Sequence, residues 1–293
     1  MKKFRKPKKF DVNAVVIGAG AAGLVSSIIF AKGRGKVVLI EQGKMGGDCL
    51  NTGCIPSKSL IRTSRLMFDI SHASEFGIEV GDREVKFGEV IARIKKVIKS
   101  IEPQDSAERL TSLGVECMSG SARIESPYLV SVKDKKISTR TIIIATGASP
   151  NVPPIDGINS IDFLTSESVW NLKDLPKRLL IIGAGPIGCE LAQAFCHLGS
   201  RVTQVDIQPR LLPKEDTEVS DLVGIQFQRD GVKVLTNHEP IKVMRESDRN
   251  YLEARHEGKT IRIEFDKLLI AAGRTPNVED LGLENLGVDL TPL

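Results

Sequence analysis

The chain alternates short runs of apolar, mostly β-branched residues with longer apolar stretches. The first run, Val12 to Ile17, is typical of a buried strand, and the stretch that follows to Ala31 predicts a buried helix. A second short strand, Lys36 to Ile40, ends at Glu41. This strand–helix–strand order predicts a parallel sheet covered by helices, which is an α/β fold.

The same pattern recurs later in the chain. Arg178 to Ile182 forms another apolar strand, a helix runs to about Leu198, and the strand Arg201 to Val205 ends at Asp206. Between the two copies we expect a long amphipathic helix over Phe87 to Leu113. We also expect a third buried strand over Thr141 to Ala145.

Each copy carries the glycine spacing of a dinucleotide-binding turn. The glycines are Gly18, Gly20 and Gly23 in the first copy and Gly183, Gly185 and Gly188 in the second. The first glycine permits the tight turn, the second admits a pyrophosphate at the helix N-terminus, and the third lets the helix lie close to the strand. Glu41 follows Gly18 by 23 residues, and Asp206 follows Gly183 by 23, near the spacing of a ribose-binding carboxylate. Two nucleotide sites are predicted, the alternative being that one is a relic of duplication.

Cys49 and Cys54 follow the first copy, with four residues between them. A structural disulfide or a pair of free thiols is the plain alternative, but 5 Cys is an odd number for a disulfide-stapled domain. A zinc site would need a second pair, whereas Cys117, Cys189 and Cys196 are scattered and the chain has only 4 His. We therefore predict a redox pair and no metal site, and we expect the three other cysteines to be packing residues.

The order of first glycine motif, Cys-x-x-x-x-Cys, Ala145-Thr146-Gly147 and second glycine motif resembles the flavin-dependent pyridine nucleotide-disulfide oxidoreductases. The resemblance runs from Asp11 onward and is most specific in Cys49 to Lys58. Ile55-Pro56-Ser57-Lys58 is closer to the dihydrolipoyl dehydrogenase and mercuric reductase branches than to glutathione reductase, although Asp48 and Thr52 depart from the commonest residues there. The family fold implied is a Rossmann-like FAD domain with a Rossmann-like NAD domain inserted.

The resemblance implies the residues of both cofactor sites. Positions matching the FAD site are Gly18, Gly20, Ala22, Gly23, Glu41, Gln42, Gly47, Ala122, Ala145, Thr146 and Gly147. Positions matching the NAD site are Gly183, Gly185, Ile187, Gly188, Asp206, Val243 and Gly273. An acid at position 206 binds ribose hydroxyls and repels the 2′-phosphate of NADP, and Arg210 stands without a basic cluster, so NADH is favoured over NADPH.

The resemblance also divides the catalytic work. Cys54 lies against the flavin, Cys49 exchanges with substrate, and Lys58 lies near the flavin N5, paired with Glu190. The residues agree, because Ile55 to Met67 reads as a helix that places Cys54 near its N-terminus, where the helix dipole favours a thiolate. The alternative for Lys58 is a solvated helix residue.

The implied domains are a basic N-terminal arm (1–10), an FAD-binding domain (11–157), an NAD(P)-binding domain (158–276) and the start of the return to the FAD domain (277–293). The boundary is placed near Gly157, because the Pro-rich run Pro150 to Pro154 with Asp156-Gly157 is typical of a linker. The family's C-terminal dimerisation domain, with its His-Glu acid–base pair, is expected to be absent. None of His72, His197, His238 and His256 matches that pair.

Composition is that of an ordinary protein with two cores: 41% hydrophobic, 27% charged and a net charge of +4 over 293 residues. Six of the first ten residues are Lys or Arg without an apolar core after them, and no apolar run is long enough to span a bilayer. We expect a cytoplasmic protein that binds no nucleic acid, a minority alternative for the arm being binding to nucleic acid or a membrane surface.

Taken together, these residues predict an oxidoreductase that passes electrons from NAD(P)H through FAD to Cys49–Cys54, and on to a disulfide such as a lipoamide or to a metal ion. The full-length family member would be a homodimer. The alternative is a truncated FAD- and NAD-binding module without full turnover.

Overall fold

The computed structural model describes residues 4–291. In chain order, the strands and α-helices are β1 (Val12–Ile17), α1 (Ala21–Lys32), β2 (Val37–Glu41), α2 (Gly47–Asn51), α3 (Cys54–Ser71), α4 (Phe87–Ile101), α5 (Ala107–Ser112), β3 (Val115–Ser119), β4 (Ala122–Ser126), β5 (Leu129–Val132), β6 (Lys135–Ile144), β7 (Ala148–Pro150), β8 (Phe163–Thr165), β9 (Arg178–Ile182), α6 (Pro186–His197), β10 (Arg201–Val205), α7 (Thr217–Asp230), β11 (Lys233–Leu235), β12 (Glu239–Glu246), β13 (Arg249–His256), β14 (Lys259–Phe265), β15 (Lys267–Ile270) and β16 (Arg274–Pro276).

These elements form two compact units. The first contains the described parts of Met1–Asn51, Ile98–Ser149 and Pro276–Leu293, and the second contains Thr52–Val97 and Pro150–Thr275. The division differs from the predicted domains, because the segment with α3 belongs to the second unit. The segment with α3 belongs to the second unit because α3 packs along α6, where the rings of Phe68 and His197 lie 4.8 Å apart.

The first unit is built on a six-stranded sheet of order β3-β2-β1-β6-β5-β4. Its first four strands are parallel, and β4, β5 and β6 continue as an antiparallel meander. Alternate residues of β1 are buried on opposite faces, with Ala14 and Val16 in one cluster and Val15 and Ile17 in the other. Burial on both faces explains why the strand reads as a continuous apolar run.

The second unit contains a parallel five-stranded sheet of order β11-β10-β9-β15-β8 and an antiparallel three-stranded sheet, β12-β13-β14. Leu180 and Ile182 of β9 share one buried cluster with Leu252 of β13 and Phe265 of β14. The four strands β3-β2-β1-β6 of the first unit have the same order as β11-β10-β9-β15 of the second unit. Two Rossmann-like units in an α/β fold, as predicted, are therefore confirmed.

Three predictions of local structure are wrong. The expected helix over Phe87 to Leu113 is broken after Ile101, because Pro103 follows and the Ser106 Oγ caps a new helix by accepting a hydrogen bond from the Arg109 N–H at 3.2 Å. The helix after the first glycine motif is not buried, since Val25 and Ile29 are exposed on α1. The strand expected over Thr141 to Ala145 is the end of the longer β6, where Ile144 is also exposed.

Smaller differences concern strand and helix ends. The helix that follows the cysteines extends to Ser71 rather than Met67. The second strand of the first copy runs from Val37 to Glu41 rather than from Lys36 to Ile40. Within residues 4–291, no helix is both long and apolar enough to cross a membrane.

Candidate redox and dinucleotide sites

The turn between β1 and α1 is shaped by its three glycines. Gly18 has a φ of +100°, and a Cβ there would lie 2.3 Å from the carbonyl oxygen of Ala145. Gly20 precedes α1 without a side chain, and the first N–H groups of a helix have no partner within it. These N–H groups and the helix dipole form a cradle of the kind that binds a pyrophosphate.

Glu41, at the end of β2, is held by backbone groups on both sides. Its Oε2 accepts a hydrogen bond from the Ala19 N–H at 2.6 Å, and its Oε1 accepts one from the Gly43 N–H at 2.7 Å. The carboxylate is thereby fixed beside the glycine turn with further lone pairs for ribose hydroxyls. This geometry fits the role that the spacing predicts.

The remaining predicted FAD residues lie in the segments that follow β1, β2 and β3 of the first unit. Gly47 begins α2 with a φ of +54°, and a Cβ there would lie 2.6 Å from Gly20 Cα. Gln42 is exposed, and its Oε1 accepts a hydrogen bond from the Ser121 hydroxyl at 3.1 Å, directly before Ala122, the buried first residue of β4. Ala22 is exposed on the first turn of α1.

The segment Ala145 to Gly147 is fixed by a residue that the sequence did not single out. The Ala145 N–H donates to the Ile17 carbonyl at 2.8 Å, which continues the pairing of β6 with β1. Asn277 then bonds the segment three times: its carbonyl accepts from the Thr146 hydroxyl at 2.6 Å, its Nδ2 donates to Thr146 O at 2.9 Å, and its N–H donates to Gly147 O at 3.0 Å. No local pattern marks Asn277, because its partner is 131 residues away.

In the second unit the turn after β9 repeats this geometry. Gly183 has a φ of +115°, and a Cβ there would lie 2.3 Å from the Ala271 carbonyl oxygen. Gly188 is buried within α6, and a Cβ there would lie 2.1 Å from Gly183 O. A Cβ at Gly185 would meet no protein atom within 4 Å, which leaves room for a phosphate at the start of α6. Ile187 is half-buried on that first turn.

Asp206 stands at the end of β10 as Glu41 does at the end of β2. Its Oδ2 accepts from the Ala184 N–H at 2.5 Å, and its Oδ1 accepts from the Gln208 N–H at 2.7 Å. Arg210 is directed into its own loop, where its guanidinium donates to the carbonyl oxygens of Pro213 at 3.2 Å and Glu215 at 2.9 Å.

Two further predicted NAD residues differ in character. The Val243 side chain is buried in the core cluster of the second unit, so any contact with a nucleotide would have to use its backbone. Gly273 has a φ of +96°, and a Cβ there would meet no atom within 4 Å. Gly273 therefore borders open space, whereas the Val243 N–H is already bonded to the Asp156 carbonyl oxygen at 2.8 Å.

The two cysteines lie in two helices, Cys49 in the middle of the short α2 and Cys54 at the start of α3. Cys49 is half-buried in α2 of the first unit, and Cys54 is exposed as the first residue of α3 in the second. Gly53 precedes α3 and supplies no capping side chain. The exposed sulfur of Cys54 therefore stands at the N-terminus of α3, where a reaction partner could reach it.

Lys58 and Glu190 meet within the second unit, as the resemblance implied. The Lys58 ammonium lies 2.7 Å from both carboxylate oxygens of Glu190, which joins α3 to α6. The two side chains are 60% and 40% exposed, so solvent screens the pair and it adds little to stability. Its effect is to fix the direction of the ammonium, one helical turn after Cys54.

The other three cysteines are poor nucleophiles. Burial raises the pKa of the Cys189 thiol to about 11, and burial also raises the pKa of Cys117 and of Cys196 above the usual range. Cys189 is buried on α6, as expected of a packing residue, whereas Cys117 and Cys196 are half-buried. Across the part of the chain that the structure describes, no three His, Cys, Asp or Glu side chains group as a metal site.

Comparison with known proteins agrees with this geometry. A family model described as pyridine nucleotide-disulphide oxidoreductase matches residues 12–292. A mercuric reductase from Lysinibacillus sphaericus is 35% identical over 95% of this chain and 51% of its own length. A dihydrolipoyl dehydrogenase from Acholeplasma laidlawii is 32% identical over 97% of this chain and 83% of its own length.

Solved structures give the same result. The Cu(II) complex of the HOCl-induced flavoprotein disulfide reductase RclA from Escherichia coli superposes with a TM-score of 0.80 at 29% identity, over 97% of this chain and 61% of that one. A second structure of the HOCl-induced flavoprotein disulfide reductase RclA gives a TM-score of 0.81 at 30% identity, over 95% of this chain and 60% of that one.

The chain thus spans about half the length of the mercuric reductases that it matches, for example 51% of the one from Lysinibacillus sphaericus. The predicted cofactors are confirmed at the level of the family, whose members depend on FAD and take electrons from NAD(P)H. The glycine cradles and the two ribose-side carboxylates fit those groups. This chain belongs to the pyridine nucleotide-disulphide oxidoreductase family.

Proposed function

We propose that this chain is the electron-transfer core of an oxidoreductase that takes electrons from NADH and delivers them to a Cys49–Cys54 disulfide. The observation that carries the proposal is the start of α3, where Cys54 is exposed and Lys58, one turn later, is held by Glu190. A reactive sulfur and a fixed cation within one helical turn are what transfer of electrons to a disulfide requires.

The residues of the first unit would bind FAD. Gly18, Gly20 and Gly23 would admit its pyrophosphate, Glu41 would bind the ribose, and the Gln42, Gly47, Ala122 and Ala145–Gly147 positions would line the rest, with Ala22 on the first turn of α1. Bound FAD supplies two-electron chemistry between a nicotinamide and a disulfide. Lys58 would stabilise negative charge on the reduced cofactor, and Glu190 would keep the ammonium in position.

The two cysteines would have separate tasks. Two electrons would open the disulfide into two thiolates. Cys54 would be the thiolate nearer the cofactor, and Cys49 would be the thiolate that faces the acceptor. With a disulfide acceptor, Cys49 attacks one sulfur and displaces the other, and Cys54 then displaces the reduced product as the bridge reforms. With a metal ion, the two thiolates bind the ion before its reduction.

The second unit would bind the nicotinamide nucleotide, through Gly183, Gly185, Ile187, Gly188, Asp206, Gly273 and the backbone of Val243. We propose NADH rather than NADPH. The Asp206 carboxylate would accept from ribose hydroxyls and repel a 2′-phosphate. Arg210, the nearest basic candidate on this loop, donates to Pro213 and Glu215, which supports the same preference.

The acceptor has two candidate classes. Similarity to dihydrolipoyl dehydrogenases supports a dithiol–disulfide acceptor, and similarity to mercuric reductases and to RclA as a Cu(II) complex supports a metal ion. The predicted domain ranges, the homodimer and the cytoplasmic location stay predictions.

Anaerobic titration tests the proposal. The purified protein should be yellow, and NADH should reduce it at lower concentration than NADPH. Four-electron uptake per cofactor in the wild type and two-electron uptake in Cys49→Ser and Cys54→Ser would identify the disulfide as the second acceptor. A protein that binds both nucleotides but takes up only two electrons in all three forms would be a binding module, and a colourless protein that cannot be reconstituted with FAD would contradict the FAD site.

A further inference from the structure

Trp170, the only tryptophan in the chain, contacts the segment between the two cysteines. Its indole Nε1–H donates to the carbonyl oxygen of Thr52 at 2.8 Å and also to that of Ser166 at 2.8 Å. Trp170 is 7% exposed, and its bond to Thr52 is partly buried while its bond to Ser166 is buried. Thr52 is the third of the four residues that separate Cys49 from Cys54, and it belongs to the same unit as Trp170.

The turn that carries Trp170 is closed by hydrogen bonds of its own. It follows β8, the edge strand of the five-stranded sheet, and ends in a single 3-10 turn over Val169–Asn171. The Ser168 hydroxyl accepts from the Thr165 N–H at 2.9 Å, and the Thr165 hydroxyl accepts from the Glu167 N–H at 3.2 Å. A hydrogen-bonded turn after the edge strand β8 therefore presents the indole to Thr52.

The anchored carbonyl lies close to the start of α3. Gly53 follows Thr52, and its carbonyl accepts the first bond of the helix from the Ser57 N–H at 3.0 Å. Cys54 comes next as the first helical residue. Holding Thr52 thus fixes the backbone on the Cys54 side of the cysteine loop, from the carbonyl of residue 52 into the helix.

We propose that Trp170 is a positioning residue that sets the reduction potential of the Cys49–Cys54 disulfide. This inference rests on the proposed function. Opening the disulfide frees the loop between the cysteines, and the freedom gained favours the dithiol. An anchor on Thr52 reduces that gain, so Trp170 stabilises the oxidised form. Loss of the indole N–H makes the disulfide easier to reduce.

The test is the thiol–disulfide equilibrium of the flavin-loaded protein with dithiothreitol. Dithiothreitol supplies two electrons and two protons to open the protein disulfide, and becomes its own cyclic disulfide. Trp170→Phe keeps an aromatic ring without the donor. Because a hydrogen bond contributes about 1 kcal/mol in all, we expect the equilibrium constant for reduction to rise by up to about fivefold, which is about 20 mV for a two-electron couple. Alkylation and mass spectrometry of the acid-quenched protein measure the fraction reduced.

Two further variants separate this effect from loosening of the turn. Replacement of the sole tryptophan by 3-benzothienylalanine substitutes sulfur for the N–H at nearly constant shape, and it should give the same shift even if Trp170→Phe folds poorly. Ser168→Ala removes the acceptor of the Thr165 N–H but leaves the indole bond, and it should not shift the equilibrium.

The outcomes distinguish this inference from the proposed function. An equal equilibrium constant in the wild type and the benzothienylalanine protein overturns the role of Trp170 while the disulfide stands. An equal shift in Ser168→Ala also overturns it, because the turn rather than the N–H would then set the potential. If the wild type gains no alkylated thiols on reduction, the disulfide does not exist, and both proposals fail.

Discussion

A Cβ at Gly23 would lie 1.8 Å from the Gly18 carbonyl oxygen, and a Cβ at Gly188 would lie 2.1 Å from the Gly183 carbonyl oxygen. The two glycine turns therefore bring helix and strand together in the same way. They differ at the middle glycine. A Cβ at Gly20 would have the Gly47 Cα 3.9 Å away, whereas one at Gly185 would have no atom within 4 Å.

The difference shows what each turn needs from its surroundings. The first turn has a second piece of backbone beside it, because Gly47 begins the helix that contains Cys49. The second turn stands alone over open space. The same six-residue pattern thus creates an enclosed cradle next to the redox segment in one unit and an open one in the other.

The helices after the two turns also differ. α1 leaves Val25 and Ile29 exposed, at 57% and 64%, whereas α6 buries Leu191 and Phe195 almost completely. α6 packs against α3 and carries Glu190, so it has a second task that α1 lacks. The dense packing of α6 holds Glu190, the partner of Lys58, in place.

The largest effect is expected from alanine at the third glycine of either turn. Gly23→Ala and Gly188→Ala each push a methyl group into a backbone carbonyl that cannot move aside, and each should lower the free energy of unfolding by about 3 kcal/mol. Gly23→Ala should lose FAD, whereas Gly188→Ala should stay yellow and lose NADH binding. Flavin content and NADH titration measure this, and loss of both nucleotides in both variants would show that the turns do not act separately.

The next largest effect is expected from replacing the carboxylates at the ends of β10 and β2. In Asp206→Asn the NH2 group of the new side chain must face either the Ala184 N–H or the Gln208 N–H. Two hydrogen-bond donors then face each other, and one bond is lost. Charged hydrogen bonds contribute about 1.5–3 kcal/mol, so we expect NADH to bind about tenfold to a hundredfold more weakly. NADPH should be weakened less. Isothermal titration compares the two nucleotides.

Glu41→Gln is the matched change in the first unit, where Ala19 and Gly43 are the donors. It should weaken FAD and leave NADH affinity unchanged. An unaltered NADH affinity in Asp206→Asn would remove this residue from the nucleotide site.

A smaller effect is expected at the middle glycine of the second turn. Gly185→Ala adds a methyl group to open space at a φ of −74°, so stability should fall by about 1 kcal/mol or less. The methyl group would nevertheless occupy the phosphate cradle, and NADH should bind about tenfold more weakly. Thermal unfolding and NADH titration together test this, with Gly188→Ala as the contrast. Equal loss of stability in the two variants would contradict the open cradle.

Much of both turns could be predicted from sequence because the determinants are local. The strands Val12–Ile17, Arg178–Ile182 and Arg201–Val205 have their predicted bounds, since glycine turns or terminal carboxylates limit each apolar run. The helix over 87–113 could not be predicted as two pieces from apolar spacing alone. The break is signalled instead by Pro103, which lacks the N–H that a continuing helix needs, and the capping bond at Ser106 restarts the helix.

The contacts that fix the site could not be predicted, because they join distant residues. Trp170 lies 118 residues from Thr52, and Asn277 lies 131 from Thr146. Each bond uses a backbone carbonyl as acceptor, and every residue has one. A sequence shows which side chains can donate but not which carbonyl the fold brings to them.

The smallest effect concerns the carboxylates that join β9 and β1, the strands before the two glycine turns, to a neighbouring strand. Asp266 accepts from the Arg178 N–H at 2.8 Å and from its guanidinium, and that side-chain bond lowers the pKa of Asp266. In the first unit Asp11 accepts from the Ser138 hydroxyl at 2.6 Å and N–H at 2.8 Å, and the Ser138 hydroxyl likewise lowers the pKa of Asp11.

A lowered pKa in the folded state means that the stabilisation is present above the unfolded-state pKa of about 3.9 and is lost as the pH falls through the folded-state value. Asp266→Asn should therefore lower the free energy of unfolding at neutral pH by less than about 1 kcal/mol, because solvent screens this half-buried group. Asp11→Asn should cost less still, since Asp11 is more exposed. Urea unfolding at neutral pH and below the unfolded-state pKa measures both. The difference between each variant and the wild type should shrink in acid, and a difference that stays constant would mean that packing rather than charge joins these strands.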